Sequence, residues 1–496
     1  MLPVLSAATM RAADQRVIQE GTPSQVLMER AAKAALAILK RDFNTTCVLF
    51  LCGNGNNGGD GLAMARFFAM EGGNARVCFL GALTPEGRPD TAGMSAECAR
   101  QLALLPKTIP FSTEPNIAGV TALVDAIFGI GLTRPIEGRA KRALEFLRPL
   151  LLPTLAVDIP SGVNADTGAV TGVALPATVT VAVSAPKLGH LLFPGAGICG
   201  KLETVDIGIY SDRCDALLLE RSDLKELPAR PANAHKGRFG RVLIIGGSVG
   251  MSGAAYFAAK AALRAGAGLV EILTPAENRI IYQTQLPEAL LTLYDPTHID
   301  DATVLSALGR ADAVAIGMGL SQSESAARLV GLTLANTVKP LIVDADAINL
   351  TARDPGLFAL LMARSNHTVI TPHLMEMSRI SSTSIAAIAS DPLTHAYRFA
   401  QSTGTVVVQK DARTVITDGT ALYLNACGNS GMATGGSGDV LAGVIASFAA
   451  QGATPLDAAK LGVLAHALAG DAALAHRGNH GMIASDIIDG LCEVLS

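Results

Sequence analysis

The sequence has no CxxC pair, and none of its eight cysteines joins histidines at zinc spacing. That excludes a CxxC redox motif and a structural zinc site. It leaves Cys47, Cys52, Cys78, Cys98, Cys199, Cys214, Cys427 and Cys492 as buried or inert thiols of a reducing compartment. A strong net charge is also missing: 39 Lys and Arg against 43 Asp and Glu give −4. No global field therefore draws the chain to nucleic acid or anionic lipid. No uncharged apolar run reaches the ~18 residues that a membrane helix needs. The opening Met1–Met10 carries no basic residue ahead of its short apolar stretch, unlike a signal peptide. Repeats at solenoid or propeller periods are absent too. The expectation is a cytoplasmic homo-oligomer acting on small molecules, with neither nucleic acid nor a membrane as partner.

What is present is a globular composition, 49% hydrophobic and 17% charged over 496 residues. One hydrophobic core rarely grows beyond about 250–300 residues, so two domains are expected. Short β-branched runs (Thr46–Cys52, Ala75–Leu80, Ala122–Val124, Thr154–Val157, Thr178–Val183) alternate with amphipathic stretches such as Gly61–Met70 and Ala140–Leu147. Such alternation implies βαβ units and a parallel sheet. It fades from about Ser211 to Asn233, a charged, proline-bearing stretch that suits a linker. A second alternation starts at Arg241–Ile245, continues through Leu269–Leu273, Ala313–Ile316, Leu341–Val343, Thr368–Ile370 and Thr405–Val408, and ends in helices around Asp439–Ala449, Leu456–Ala473 and Ala484–Leu495. The expected division is 1–210, a linker at 211–233, and 234–496.

Gly53-Asn54-Gly55-Asn56-Asn57-Gly58-Gly59-Asp60-Gly61 follows a strand and opens a helix. Consecutive glycines allow positive φ, so successive amides can converge into an anion-binding nest at a helix N-terminus. A dinucleotide phosphate is the natural guest. The Asn56 and Asn57 carbonyls can hold a weakly hydrated cation or hydroxyls, and Asp60 is placed at the helix start, where it can also act as a cap. No Gly-Lys-Ser/Thr follows, so this is not a Walker A loop. A tight strand–helix turn is the plainer reading, but nine residues exceed what a turn requires. Two further polar loops, from Asp125 to Thr133 and from Asp158 to Gly168, fall at later strand ends, where open α/β sheets bind ligands. Asp158, followed by Ile159-Pro160, is the acid/base candidate; taken alone it can equally cap the next turn.

GNGNNGGDG, DAIFGIG and VDIPSGVNADTG in this order resemble the NAD(P)H-hydrate epimerase family over residues 10–210. That resemblance implies a Rossmann-like three-layer sandwich. It implies contacts to the hydrate from Asn56, Asn57, Gly58, Gly59 and Asp60, and from Gly129, Ile130, Gly131, Leu132, Thr133, Arg134 and Pro135. It also implies a potassium ion held by Asn57, Asp125 and Ser161, with Asp158 acting on the substrate. Leu27-Met28-Glu29-Arg30-Ala31-Ala32 departs from the family's usual Leu-Met-Glu-Asn-Ala-Gly.

A second glycine-rich loop, Gly431 to Gly443, precedes an apolar helix and carries Asp439. Its amides can form an anion hole for a phosphoryl group in flight, while the carboxylate takes a proton from the attacking hydroxyl; a capping aspartate is the alternative. The ordered set HKGRFG, IGGS, GMG, DADA, TPH and KDART is weak piece by piece. His373 alone reads as a structural histidine, Lys410 as a solvated strand end, and Asp344 and Asp346 as turn chemistry. Together they resemble the ADP/ATP-dependent NAD(P)H-hydrate dehydratase family over residues 225–496, with a ribokinase-like α/β fold. The resemblance implies that Ala254, Gly317, His373 and Asp439 face the hydrate. Lys410, Asp411, Ala412, Arg413, Thr414 and Gly438 would bind ADP or ATP, with Mg2+ bridging its phosphates. The family's Thr-Pro-His-Pro-Gly-Glu and Lys-Gly-Ala-Gly-Thr become Thr371-Pro372-His373-Leu374-Met375-Glu376 and Lys410-Asp411-Ala412-Arg413-Thr414.

The two resemblances together imply repair of hydrated NADH and NADPH: epimerisation of R and S hydrates at C6, then nucleotide-driven dehydration of the S form. A ribokinase-type vitamin-precursor kinase with a regulatory first half is the competing expectation, and an interaction scaffold the third.

Overall fold

The computed structural model describes residues 1–364 and 366–496. The chain folds as two compact units, Pro3–Ala216 and Met1–Leu2 with Leu217–Ser496. The first strand, β1 (Leu2–Val4), lies where the chain passes from one unit to the other.

Seven parallel strands form the sheet of the first unit: β2 (Val48–Cys52), β3 (Ala75–Phe79), β4 (Phe111–Ser112), β5 (Ala122–Ala126), β6 (Thr154–Val157), β7 (Val179–Val183) and β8 (Lys201–Val205). Their order across the sheet is β4-β3-β2-β5-β6-β7-β8. Successive strand side chains point to opposite faces, and β2 shows why the unit has three layers. Val48, Phe50 and Cys52 pack with Leu36, Leu39, Leu62 and Phe68 of helices Ser24–Asp42 and Asn56–Met70. Leu49 and Leu51 pack on the other face with Ala140, Leu144 and Leu147 of helix Gly138–Leu147. A sheet covered on both faces reads as an unbroken apolar run, and each large side chain fully buried this way contributes roughly 1.5–3 kcal/mol. Strand order reverses between β2 and β5, so a crevice opens at their carboxyl ends.

The second unit is built on β9 (Ala216–Leu218), β10 (Arg241–Ile245), β11 (Leu269–Pro275), β12 (Leu290–Tyr294), β13 (Ala313–Ile316), β14 (Leu341–Val343), β15 (Thr368–Ile370), β16 (Val406–Gln409), β17 (Thr414–Thr417) and β18 (Leu422–Asn425). With β1 they make an eleven-stranded sheet, ordered β1-β9-β18-β17-β16-β15-β14-β13-β10-β11-β12. From β12 to β16 it is parallel, and β16-β17-β18 is antiparallel. Helices Ser252–Arg264, Ser437–Ala450, Pro455–Gly481 and Ala484–Val494 bury their apolar faces in one core with Val242, Ile244, Val270 and Ile272. Among the described residues one helix, Pro455–Gly481, is long and apolar enough to cross a membrane, but 72% of its most apolar window is buried, as in a core helix.

Within the stretch expected as a linker, Ala216–Leu218 is a strand and Arg221–Glu226 a 3₁₀ helix. The charged surroundings hide the apolar Leu217-Leu218-Leu219, and Leu218 pairs with Leu424 of β18.

Candidate active sites

In the first unit the motif loops meet at the carboxyl ends of β2, β5 and β6 around a cavity of about 520 Å³. Asn56, Asn57, Asp60, Gly129, Ile130, Gly131, Leu132, Thr133, Arg134 and Asp158 all line it. Gly58, Gly59 and Pro135 are not on its wall. The first glycine-rich loop departs from expectation in two respects. The helix begins at Asn56, so Asp60 stands in its second turn rather than at its start. None of Gly53, Gly55, Gly58, Gly59 and Gly61 adopts positive φ. Close packing is what calls for glycine here: a Cβ on Gly53 would stand 2.1 Å from the Ile127 carbonyl oxygen, and one on Gly58 2.1 Å from that of Gly53.

Asp125 is fully buried at the end of β5. Its Oδ1 accepts from Ser161 Oγ at 2.6 Å and its Oδ2 from Ser161 N at 2.8 Å, while Phe128 N donates to Ser161 Oγ at 2.9 Å. Burial pushes the Asp125 carboxyl up, against the pull of those bonds. Asn57 adjoins the Gly129 turn, where a Cβ on Gly129 would be 3.3 Å from Asn57 Cβ and 3.4 Å from Asp158 Oδ2. Both polar atoms of the Asn57 side chain are buried without a hydrogen-bond partner. Asp60 is driven well above the carboxylate range by burial, reinforced by Asp158 and Asp14.

Asp158 follows β6 with φ of 66°, a left-handed conformation that a non-glycine residue holds only when its surroundings impose it. Lys187 Nζ donates to Asp158 Oδ1 at 2.6 Å, and His190 Nε2 lies 2.7 Å from the Asp158 carbonyl oxygen. Burial, reinforced by Lys187, lowers the His190 pKa to about 4, so the imidazole is neutral. Sequence reading missed both residues. Ala185-Pro186-Lys187-Leu188-Gly189-His190 has no spacing that separates a buried lysine from a surface one.

In the second unit β13, β14, β15 and β16 deliver Gly317, Asp344, His373 and Lys410 just beyond their carboxyl ends. A Cβ on Gly317 would lie 1.8 Å from the Asp344 carbonyl oxygen, and one on Gly319 2.9 Å from Ala254 Cβ. Lys410 Nζ donates to Asp344 Oδ1 at 2.7 Å and lies 4.0 Å from Glu376 Oε2. Burial opposes its charged form, but Asp344 and Glu376 hold the ammonium's pKa above its ordinary value. Gly438 closes on this pair, where a Cβ would stand 3.4 Å from Lys410 Nζ. His373 caps helix Leu374–Ser381, its Nδ1 accepting from Met375 N at 3.1 Å and Glu376 N at 3.3 Å. That leaves Nε2 as the protonated nitrogen of a neutral ring. Burial, then Lys410, lowers the His373 pKa.

Residues 410–413 form the turn between β16 and β17, where Arg413 Nη1 donates to the Ala426 carbonyl at 3.0 Å and Asp411 Oδ1 accepts from Ala412 N at 2.7 Å. Both substituted side chains are thus tied to neighbouring backbone. Asp439 is the third residue of helix Ser437–Ala450, after Gly436 at φ 93°. Burial first, then Asp344, pushes its pKa to about 7, with Lys410 pulling the other way. A carboxylate poised near neutrality beside a run of helix N-terminal amides has the form of a general base at an anion site. The Asp344–Lys410–Glu376 network was missed as a unit, because its members come from two strand ends and the first turn of a helix.

The family model of NAD(P)H-hydrate dehydratase matches residues 242–492, and that of the YjeF-related protein N-terminus matches residues 24–189. The bifunctional NAD(P)H-hydrate repair enzyme of Moorella thermoacetica is 38% identical over 99% of this chain and 96% of that protein. The chain belongs to the family of bifunctional NAD(P)H-hydrate repair enzymes. Its Escherichia coli relative of the same name is 36% identical over 95% of this chain and 89% of that one. A ribokinase-like superfamily protein from Enterococcus faecalis V583 superposes with a TM-score of 0.52 at 29% identity, covering 58% of this chain and 96% of its own. The α/β class, the two-domain organisation and the ribokinase-like second half expected from the sequence agree with these findings.

Proposed function

We propose that the chain repairs hydrated NADH and NADPH, with epimerisation in residues 1–210 and dehydration in residues 234–496. The observation that carries the proposal is the pairing, in one chain of this family, of two separate aspartates at strand or helix ends, Asp158 on the cavity and Asp439 at the second glycine-rich loop. In the second unit Asp439 takes the proton of the C6 hydroxyl as that oxygen attacks the terminal phosphorus of ADP or ATP. Amides at the start of helix Ser437–Ala450 stabilise the developing charge. Loss of phosphate from C6 and of a proton from C5 then restores the reduced ring, leaving AMP and phosphate when the donor is ADP. Lys410 to Thr414 and Gly438 hold the nucleotide; Ala254, Gly317 and His373 face the hydrate. The oxygen donors of Asp344 and Glu376 would hold a magnesium ion accompanying the nucleotide, which would supply positive charge to its phosphates.

In the first unit the side-chain oxygens of the orphaned Asn57 and of the Asp125–Ser161 pair are donors of the kind that would hold potassium. When bound, the ion supplies positive charge near the substrate. Asn56, Asn57, Asp60 and the residues from Gly129 to Arg134 hold the hydrate, and Asp158 exchanges protons with it.

The test starts from mixed R and S hydrates with ADP and magnesium. The intact chain converts all of it to reduced cofactor, and Asp439→Ala yields almost none while still interconverting the epimers. Asp158→Ala consumes S quickly and then stalls at the spontaneous epimerisation rate. Single-phase completion by Asp158→Ala at the intact rate would sink the epimerase assignment. Phosphorylation of pyrimidine or thiazole alcohols, with no action on the hydrate, would favour the vitamin-precursor kinase.

A further inference from the structure

Among the described residues Lys187 is the one lysine on the wall of the cavity. It exposes none of its side chain, whereas its partner Asp158 is 15% exposed. Two of its ammonium protons are engaged, by Asp158 Oδ1 at 2.6 Å and by the Val183 carbonyl oxygen at 2.8 Å. Its backbone N–H donates to His190 Nδ1 at 3.0 Å, and that ring's Nε2 meets the Asp158 carbonyl at 2.7 Å. Lys187 and His190 thus grip Asp158 at side chain and backbone together. The grip spans two left-handed residues at adjacent strand ends, Asp158 with φ of 66° and Ser184 with φ of 64°, and the Ser184 hydroxyl is buried without a partner. The second oxygen, Asp158 Oδ2, faces the Gly129 turn, where a Cβ would stand 3.4 Å away. Left-handed backbone persists at such places only when neighbouring structure holds it, and it concentrates at functional sites.

We propose that Lys187 is a positioning residue for epimerisation, which fixes the Asp158 carboxyl group with one oxygen tied and the other turned to the hydrate. This rests on the epimerase reading above. With Oδ1 held by the ammonium, Oδ2 is the base. It takes the proton of the C6 hydroxyl; the C6–N1 bond breaks, its electron pair goes to N1, and C6 becomes an aldehyde. The same carboxyl returns the proton to N1. After rotation about the C5–C6 bond, N1 attacks the other face of the aldehyde, its proton passes back through Asp158 to the new hydroxyl oxygen, and the ring closes as the opposite epimer. No oxidant, reductant or second substrate is consumed. His190, neutral because burial and Lys187 lower its pKa to about 4, adds no competing charge.

Epimerisation is measured on the full chain as interconversion of purified R and S hydrates without nucleotide. Lys187→Met should lower kcat on the order of 10²-fold, the low end for removing proton-transfer assistance, with KM within about threefold. Lys187→Arg retains the cation and should recover at least tenfold of that loss. Methylammonium added to Lys187→Ala should restore activity where tetramethylammonium, which cannot donate a hydrogen bond, does not. A Met variant within threefold of the intact chain, a loss confined to KM, or an Arg variant no better than Met overturns the proposal. Should the Met variant fail to fold, Lys187→Arg decides: kcat within tenfold of the intact chain supports the role, and background activity refutes it. Failure of the underlying reading looks different, because the intact chain itself would then interconvert the hydrates no faster than buffer.

Discussion

The pH dependence of dehydration follows from the surroundings of Asp439. The base proposed above must be ionised to take the hydroxyl proton, and burial, then Asp344, pushes the Asp439 pKa up to about 7. With that pKa, roughly one tenth of the enzyme is competent at pH 6 and about nine tenths at pH 8, so kcat/KM for the S hydrate should rise ~10-fold across that interval. The perturbation is Asp344→Asn. It removes a repelling carboxylate and leaves Lys410, whose ammonium favours the ionised form. Like charges sharing one partly buried cluster shift each other by about one pH unit, equivalent to ~1.4 kcal/mol. The acid limb should therefore move down by about one unit, and the variant at pH 6 should keep about half of its own plateau. The assay follows near-ultraviolet absorbance of the reduced nicotinamide from purified S hydrate at saturating nucleotide, each profile normalised to its own plateau. That normalisation removes any weakening of nucleotide binding through the lost Asp344–Lys410 bond. An acid limb that stays in place, or moves to higher pH, refutes the electrostatic reasoning.

Because the folded-state pKa of Asp439 is raised, protonated Asp439 stabilises the fold below the unfolded carboxylate pKa, and that stability is lost as pH rises through about 7. Asp439→Asn should accordingly melt at a higher temperature than the parent at pH 8 and at the same temperature near pH 4, as calorimetry can establish; a lower Tm at pH 8 would contradict the burial argument. Gly58→Ala places a Cβ 2.1 Å from a backbone oxygen and should destabilise the first unit by about 1–3 kcal/mol or more. Gly55→Ala meets nothing within 4 Å and should melt within a degree or two of the parent, so equal melting of the two variants would discredit the close-packing account. Epimerisation should require potassium, and Asn57→Ala should weaken that requirement's apparent affinity without touching dehydration; full activity in a buffer free of potassium and comparable ions removes the basis for the site.

The fold was largely legible because buried parallel strands announce themselves as short β-branched runs: Val48–Cys52 and Arg241–Ile245 fall inside or upon the segments read from sequence. Loop positions were legible for the same reason, since Asp125, Asp158 and Lys410 stand at or just past strand ends. Composition misled at the first glycine-rich loop, where five glycines suggested turns but close approach to Ile127, Met28 and Ala126 selects glycine within a helix and its lead-in. It misled again near Leu217–Leu219, where three apolar residues outweigh charged neighbours. Lys187 and His190 were illegible because their significance lies in reaching back to Asp158 from a different strand end, a long-range relation that spacing does not encode.

The all-but-buried helix Ser437–Ala450, with eleven of its fourteen residues in the core, carries a consequence for biosynthesis. It leaves the ribosome ahead of helices Pro455–Gly481 and Ala484–Val494, which pack against it in the finished molecule. Until those segments emerge, a nearly continuous apolar surface stands uncovered on a sheet whose strands come from as far back as residue 2. Transiently exposed surface of that kind is what makes partly synthesised chains prone to aggregate. The vulnerable interval of this protein's life therefore falls while residues 451–496 are being made, and slowing the ribosome over those codons would lengthen it.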